Sequence, residues 1–189
     1  MHEYTASDSL RKHMLAVEAA MRAYARKFGG EEERWGLAGL LHDFDYERFP
    51  NAARAPFEEH PAHGVRLLGE RGYPADVLDA IMGHAPYTDT PRDTPMAKTL
   101  FAVDELTGLI TATALVRPGR SVHDVDVRSV RKKMKDKAFA RGVSREDIVQ
   151  GAAELGVELD DHIAFVVAAM RQSARALGLA GPDVAGGPD

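Results

Sequence analysis

The sequence predicts an all-α protein made of one domain. Apolar residues recur at intervals of three to four along most of the chain, which is typical of helices that bury one face. Capping residues and Gly- or Pro-containing stretches separate these segments. The chain has 189 residues, of which 44% are hydrophobic and 28% are charged, and this is ordinary for one globular domain with a full core.

The first predicted helix covers residues 10–28, after an N-terminal segment of residues 1–9. Ser7 or Ser9 can cap its start, and Gly29-Gly30 ends it. His13 lies beside its apolar stripe, so we expect the imidazole to point inward or to the edge of a groove. The stripe consists of Leu10, Met14, Val17, Met21 and Phe28.

The second predicted helix covers residues 31–42 and is the most apolar in its body. Glutamates occupy its first turn, where the helix dipole favours them, and residues 35–41 indicate a buried helix. The helix ends at His42-Asp43. A charged aspartate at the end of a buried helix is unfavourable unless something compensates it, and a metal ion would do so.

The middle of the chain alternates short helices with proline-containing loops. Residues 44–59 are predicted to form a loop that covers the functional site, which would lie at the end of the second helix. Helices follow at 61–71 and 75–84. His60 stands at the start of the first of these helices, and His84 stands at the end of the second. A further predicted helix, 96–116, carries Asp104 near its middle, with Gly108 and Thr111 on the same face as a site wall or a helix-packing strip.

The last third of the chain begins with a basic segment. Residues 117–145 contain ten Lys or Arg against three Asp, in a chain whose net charge is −5. One or two short helices are expected there, and Ser144 is predicted to cap the next helix. The last helix is predicted over about 158–178, and residues 179–189 are predicted to form a disordered tail.

Composition excludes several classes of protein. The chain contains no cysteine, which excludes disulfides, thiolate nucleophiles and iron–sulfur clusters. No apolar run approaches the roughly 18 residues of a membrane span, and the N-terminus lacks the apolar stretch of a signal peptide. We therefore expect a cytoplasmic protein without membrane contact; the sequence leaves its oligomeric state open.

Histidines and aspartates form an ordered series along the helical part of the chain. The series is His13, His42-Asp43, His60, His84 and Asp104, and it contains four of the eight histidines. Its members lie on different predicted helices or helix ends, so only the fold can bring them together. Neutral imidazole and carboxylate are ligands that Fe, Mn, Co and Zn accept, so the series predicts a site for one or two divalent metals.

The series resembles the signature of the HD superfamily of metal-dependent phosphohydrolases. The resemblance covers residues 10–110 and rests on His13, His42-Asp43 and Asp104, together with the HPxxG-like stretch at residues 60–64 and His84. The chain as a whole looks most similar to small stand-alone members known as predicted hydrolases. The resemblance implies an HD-type helical bundle over residues 10–178.

The resemblance also implies the ligands of two metal ions. One ion would be held by His13, His42, Asp43 and Asp104, and the second by Asp43, His60 and His84, with Asp43 as the bridge. Fe or Mn is favoured, and Co, Mg and Zn are possible. His63, one helical turn after His60, is the rival for that position. The remaining histidines, His2, His123 and His162, fit no position in the pattern and are expected at the surface.

Catalytic and substrate-binding roles are assigned to further residues. Where many members continue the pair as HD-Ile-Gly-Lys, this chain has Asp45 and Tyr46 at the last two positions. Asp43 and Asp45 are the catalytic candidates. Asp45 would hydrogen-bond a metal-bound water or orient a ligand histidine, or it could equally cap the following loop. Basic residues that would bind phosphate are Lys98, Arg117, Arg120, Arg128 and Lys132, although the segment after residue 116 could equally be a solvated helical face.

The predicted function is hydrolysis of a phosphoester or phosphoanhydride of a small molecule, a nucleotide by preference, through attack of a metal-bound hydroxide. Nucleic acid is not expected as a partner, because stacking aromatic residues are absent between residues 117 and 138. Two alternatives stay open. Some relatives with the same six ligands are di-iron oxygenases, and a non-catalytic, metal-stabilised binding module is also consistent with the sequence.

Overall fold

The structure is a computed structural model that describes residues 1–182. Within that range the fold is all-α, a single bundle without strands, as the sequence predicts. One isolated antiparallel bridge joins Ser121 to Ala180. The helices are α1 (Asp8–Phe28), α2 (Glu32–Leu41), α3 (Ala62–Glu70), α4 (Ala75–Gly83), α5 (Pro95–Leu115), α6 (Val127–Lys135), α7 (Arg145–Leu155) and α8 (Leu159–Gln172), with short 3₁₀ turns at Pro86–Thr88 and Val122–Asp124.

Helix α5 is the centre of the bundle. It is contacted by α1, α2, α4, α6, α7 and α8, and apolar residues are buried along its length. A helix that is apolar around most of its circumference is stable only when other helices cover it. Asp104 lies near the middle of this helix, and its carboxylate therefore needs partners inside the protein.

Glycines allow two pairs of helices to pack closely. At Gly39, an added Cβ would lie 2.9 Å from the backbone of Glu18, so glycine lets α2 approach α1. At Gly151, it would lie 2.6 Å from Cα of Ala102, so glycine lets α7 approach α5. These approaches place the end of α2 beside α1, and α7 beside α5.

Local capping explains where the helices begin and end. The Ser7 hydroxyl accepts a hydrogen bond from the Leu10 amide, and Gly29 ends α1 with a left-handed φ of 71°. Ser144 caps α7 through the Asp147 amide. The helix bounds lie within about two residues of those predicted, except that α8 ends at Gln172 and residues 173–178 form turns.

The predicted disordered tail requires a correction at its start. Leu179 is 2% exposed and belongs to the hydrophobic core, and its carbonyl accepts a hydrogen bond from the Val122 amide. Burial of an apolar side chain against the 3₁₀ turn at 122–124 therefore orders the chain beyond residue 178. Residues 183–189 lie outside the described part of the chain.

None of the described helices combines the length and apolar character that crossing a bilayer requires.

Candidate metal centre

Five structural elements contribute the side chains of one cluster. His13 comes from the first half of α1, and Asp104 comes from the middle of α5. His42 and His84 are the residues that directly follow the last turns of α2 and α4, while His60 precedes α3. The six residues of the sequence series are therefore brought together by the fold, as two adjoining groups of three.

The first group consists of His13, His42 and Asp104. The Asp104 Oδ1 atom lies 3.0 Å from Nε2 of His13 and 3.4 Å from Nε2 of His42. Two ligand atoms that share one ion at about 2.1 Å lie roughly 3.0–3.4 Å apart at octahedral or tetrahedral angles. The spacing in this group therefore fits one ion.

The second group consists of Asp43, His60 and His84. The Asp43 Oδ1 atom lies 3.3 Å from Nε2 of His60 and 3.6 Å from Nε2 of His84. The other oxygen of the same carboxylate, Oδ2, lies 3.5 Å from Nε2 of His42 and 3.8 Å from Nε2 of His13. Asp43 thus presents one oxygen to each group, which is the arrangement of a bridging carboxylate.

Hydrogen bonds fix three of the four imidazoles with Nε2 facing the centre. The Nδ1 atom of His42 donates to the Gly39 carbonyl at 2.8 Å, and Nδ1 of His84 donates to the Ile81 carbonyl. The Nδ1 atom of His60 donates to Oδ1 of Asp45 at 2.8 Å. In a neutral imidazole these bonds leave Nε2 with a free lone pair, which is the atom a metal ion takes.

The Nε2 atom of His42 lacks a hydrogen-bond partner although its residue is fully buried. Leaving such an atom unpaired inside a protein costs about 1–3 kcal/mol. A divalent ion held by His42, His13 and Asp104 would satisfy it. The donor set, the distances and this orphaned atom together fit divalent metal ions.

Asp45 is a buried residue behind the cluster. Its side chain is 1% exposed and does not line the cleft, and besides His60 it accepts a hydrogen bond from the Gly64 amide at 2.7 Å. A Cβ at position 64 would lie 2.8 Å from the Asp45 carboxylate, so glycine permits this contact. Of the roles considered for Asp45, the geometry matches orienting a ligand histidine; the expected contact with a metal-bound water does not fit its position.

The two ligand carboxylates are held in the ionised form. Burial disfavours the charge of Asp104, but the neighbouring His42 and His13 outweigh burial and hold the pKa of Asp104 well below its usual range. The pKa of Asp43 is likewise low, because His42, His84 and His60 together outweigh its burial. Burial also opposes protonation of His42, yet Asp43 and Asp104 raise the pKa of this histidine above its usual value.

The cluster lies at the floor of a cleft of about 690 Å³. The predicted loop 44–59 borders it through Tyr46, Asn51 and Arg54. Further lining residues come from α5 and the start of α7, including Glu105 and Gly108. Such a volume is in the range of small-molecule sites.

The five basic residues expected to bind phosphate do not line this cleft. Helix α5 extends roughly 17 Å beyond Asp104 to Leu115, at 1.5 Å per residue, so the basic segment begins far from the centre, although its last residues, 142–144, return to line the cleft. Arg117, Arg120, Arg128 and Lys132 follow that end of the helix. Lys98 precedes Asp104 by six residues and borders a separate cavity of about 460 Å³ with Arg92 and Glu154. The structure thus does not place the five residues that were expected to bind phosphate around the cluster.

The cleft contains residues that the sequence did not single out. Burial, with the charge of Asp104, raises the pKa of Glu105 to about 8, and this carboxylate accepts a hydrogen bond from the Ser144 amide at 3.1 Å. The Tyr87 hydroxyl donates to the His60 carbonyl at 2.9 Å, and burial with the charge of Asp43 raises its pKa to about 12. Neither residue belongs to a motif, and only the position of Glu105 directly after Asp104 could have indicated it.

The remaining histidines lie outside the cluster. His63 is stacked on Phe49 and belongs to neither group of ligands, so the rival to His60 is not brought to the cluster. His2 and His123 are exposed, as expected. The expectation of a surface position is wrong for His162, which is 1% exposed, accepts a hydrogen bond from the Tyr24 hydroxyl and donates to the Ala102 carbonyl. Two partners inside the core make burial of this imidazole possible.

Comparison with known protein families gives one match. The family model described as HD domain matches residues 10–109, slightly more than half of the chain, and this range includes all six residues of the cluster. No curated protein and no solved structure matches the chain significantly.

Proposed function

Since the chain belongs to the HD domain family, we propose that it is a metal-dependent phosphohydrolase with two divalent ions in its cleft. This family consists mostly of metal-dependent hydrolases that bind divalent metals. The proposed reaction is hydrolysis of a phosphoester or phosphoanhydride of a small molecule, with a nucleotide as the preferred substrate.

The observation that carries the proposal is the position of the Asp43 carboxylate between two sets of imidazoles. Oδ2 faces His42 and His13, and Oδ1 faces His60 and His84. A carboxylate that bridges two ions holds them at the short separation which two-metal hydrolysis requires. When bound, two such ions lower the pKa of a water molecule and neutralise the oxygens of a phosphoryl group.

The protein's own residues orient the imidazoles for metal binding. Asp45 and the carbonyls of Gly39 and Ile81 accept hydrogen bonds from Nδ1 of three imidazoles, so that Nε2 of each ring faces the cluster and can bind metal once it has lost its proton. Because His42 and His60 are buried, solvent competes little for these atoms. The aromatic rings of Tyr87 and Phe101 line the cleft above the cluster and can contact the body of a small substrate.

The test is phosphate release by the metal-loaded protein in the absence of oxygen. We expect Mn- or Fe-loaded protein to release phosphate from members of a nucleotide and phosphoester panel. Asp43→Asn, which weakens the bridge, should lower the rate at least about 100-fold. The matched control is Asp79→Asn, which removes the same charge from an exposed position on α4.

The other outcomes point to different functions. Turnover that requires iron and consumes oxygen would replace the hydrolase with an oxygenase. Absence of turnover on every substrate, with Asp43→Ala losing the folded state rather than an activity, would indicate a metal-stabilised binding module.

A further inference from the structure

The charges around the cleft are distributed unevenly. Arg54 is the only Lys or Arg among the described residues that line it. The start of α7 contributes two carboxylates besides the metal ligands, Glu146 and Asp147, while Glu105, with its raised pKa of about 8, is mostly neutral near pH 7. The two proposed ions would neutralise one phosphoryl group, and further phosphate groups would need further cations, of which the lining offers only Arg54.

The backbone of Arg54 lies in a turn that side-chain hydrogen bonds of Asn51 hold in place. The Asn51 side chain accepts a hydrogen bond from the Ala55 amide at 2.8 Å, and donates to the Ala55 carbonyl at 2.7 Å and to the His60 carbonyl at 2.8 Å. Arg54 itself has a left-handed φ of 53°. The turn is thus tied to the backbone of a metal ligand, which fixes the distance between the Arg54 backbone and the cluster.

The guanidinium of Arg54 is free to bind an anion. It forms neither an ion pair nor a side-chain hydrogen bond with any described residue. Arginine recognises phosphate through two parallel N–H···O bonds, which lysine cannot reproduce.

The acidic wall is also fixed. Glu105 accepts a hydrogen bond from the Ser144 amide, and Arg145 donates to the carbonyls of Ala140 and Val143 at 2.6 Å each. These bonds hold the segment between α6 and α7 against the cleft, with Glu146 and Asp147 in the first turn of α7. Carboxylates at this wall would repel a second or third phosphate group of a bound substrate.

We propose that Arg54 binds the phosphoryl group of a substrate that carries one phosphate group, and that Glu146 and Asp147 disfavour polyphosphates. The inference rests on the proposed function and narrows its substrate class to phosphomonoesters. In the reaction, water adds to phosphorus, the P–O bond to the ester oxygen breaks, and this oxygen takes up a proton and leaves as an alcohol. Inorganic phosphate is the second product.

The first experiment compares a nucleoside 5′-monophosphate with the corresponding triphosphate at saturating metal. We expect kcat/KM for the monophosphate to exceed that for the triphosphate by at least about tenfold.

Arg54→Ala should raise KM for the monophosphate about tenfold with a smaller change in kcat, and Arg54→Lys should recover part of the loss. Arg71→Ala, which removes an exposed arginine outside the cleft, should match the wild type. Neutralising the wall with Glu146→Gln and Asp147→Asn should improve kcat/KM for the triphosphate alone.

The second experiment does not depend on turnover. Calorimetric titration of the metal-loaded protein with inorganic phosphate should show binding that Arg54→Ala weakens about tenfold and Arg71→Ala leaves unchanged. A preference of the wild type for the triphosphate, or an Arg54→Ala variant equal to the wild type in KM and in phosphate binding, would overturn the inference while leaving the proposed function intact. If no phosphoester is hydrolysed, the proposed function fails, and the titration still decides whether Arg54 binds phosphate.

Discussion

Replacing Asp45 with asparagine tests how the second group of ligands is held. Asp45 accepts two hydrogen bonds through its two oxygens, from Nδ1 of His60 and from the Gly64 amide. An amide offers one oxygen and one NH₂ group, so in either orientation one donor would face another donor. If the His60 ring changes tautomer to avoid this conflict, its Nε2 atom becomes protonated and cannot bind metal.

The size of the effect follows from these contacts. A buried donor without a partner costs about 1–3 kcal/mol, and loss of a residue that orients a metal ligand typically costs 10- to 100-fold in metal affinity. His60 belongs to the group with Asp43 and His84, whereas the group of His13, His42 and Asp104 does not contact Asp45. We therefore expect Asp45→Asn to weaken one metal equivalent by about 10- to 100-fold and to leave the other nearly unchanged.

The assay is calorimetric titration of metal-free protein with Mn²⁺, with Asp79→Asn as the control for the charge change. Circular dichroism of both variants checks that the helices are retained. Two equivalents as tight as in the wild type would refute the assigned role of Asp45. An equal loss in both equivalents would refute the independence of the two groups.

Three further predictions concern stability. Burial lowers the pKa of His162 below its usual value of 6.5, so the unfolded chain binds a proton at this residue more readily than the folded protein does. The contribution of His162 to the free energy of unfolding should therefore be complete above about pH 6.5 and should decrease as the pH falls below that value. Urea unfolding should therefore show His162→Gln to be about 1–3 kcal/mol less stable than the wild type at pH 7.5, with a smaller difference at pH 5; an equal difference would contradict this. Gly151→Ala should destabilise the protein by about 1–3 kcal/mol, because the added Cβ would approach Cα of Ala102 to 2.6 Å. The control is Gly69→Ala, whose Cβ would lie an ordinary 3.5 Å from Leu78 and should not destabilise the protein. Equal melting temperatures for the two variants would contradict the close packing of α7 on α5. Removal of metal by a chelator should lower stability by about 4 kcal/mol for each ion that had been present at 1,000 times its Kd, and an unchanged melting temperature would argue that the cluster does not hold ions.

The helices and the ligands of the cluster could be predicted because their signals are local. Periodic apolar residues, a Ser7 cap and the Gly29-Gly30 stop define α1, and the Ser144 cap marks the start of α7. His42 and Asp43 at the end of the most apolar helix could be recognised because burial of an ionised group requires compensation. The order of the series then agreed with a known family pattern.

The residues that complete the cleft depend on tertiary geometry. Arg54 lies in a loop without a motif, and the turn held by Asn51 places it among the residues that line the cleft. The basic segment was predicted to bind phosphate at the site because its charge is evident in the sequence. The length of α5 that separates Arg117 from Asp104 becomes evident only in the folded structure. Burial of His162 could not be predicted because its partners lie 138 and 60 residues away in the chain.

The most direct test of the account is the metal content of the protein, measured by elemental analysis of the wild type and of His84→Ala. The account predicts about two transition-metal ions per chain in the wild type and about one in the variant, because His84 belongs only to the group with Asp43 and His60. One ion per chain in both proteins would remove His60 and His84 from the metal site, and absence of metal from both after reconstitution would contradict the metal centre itself.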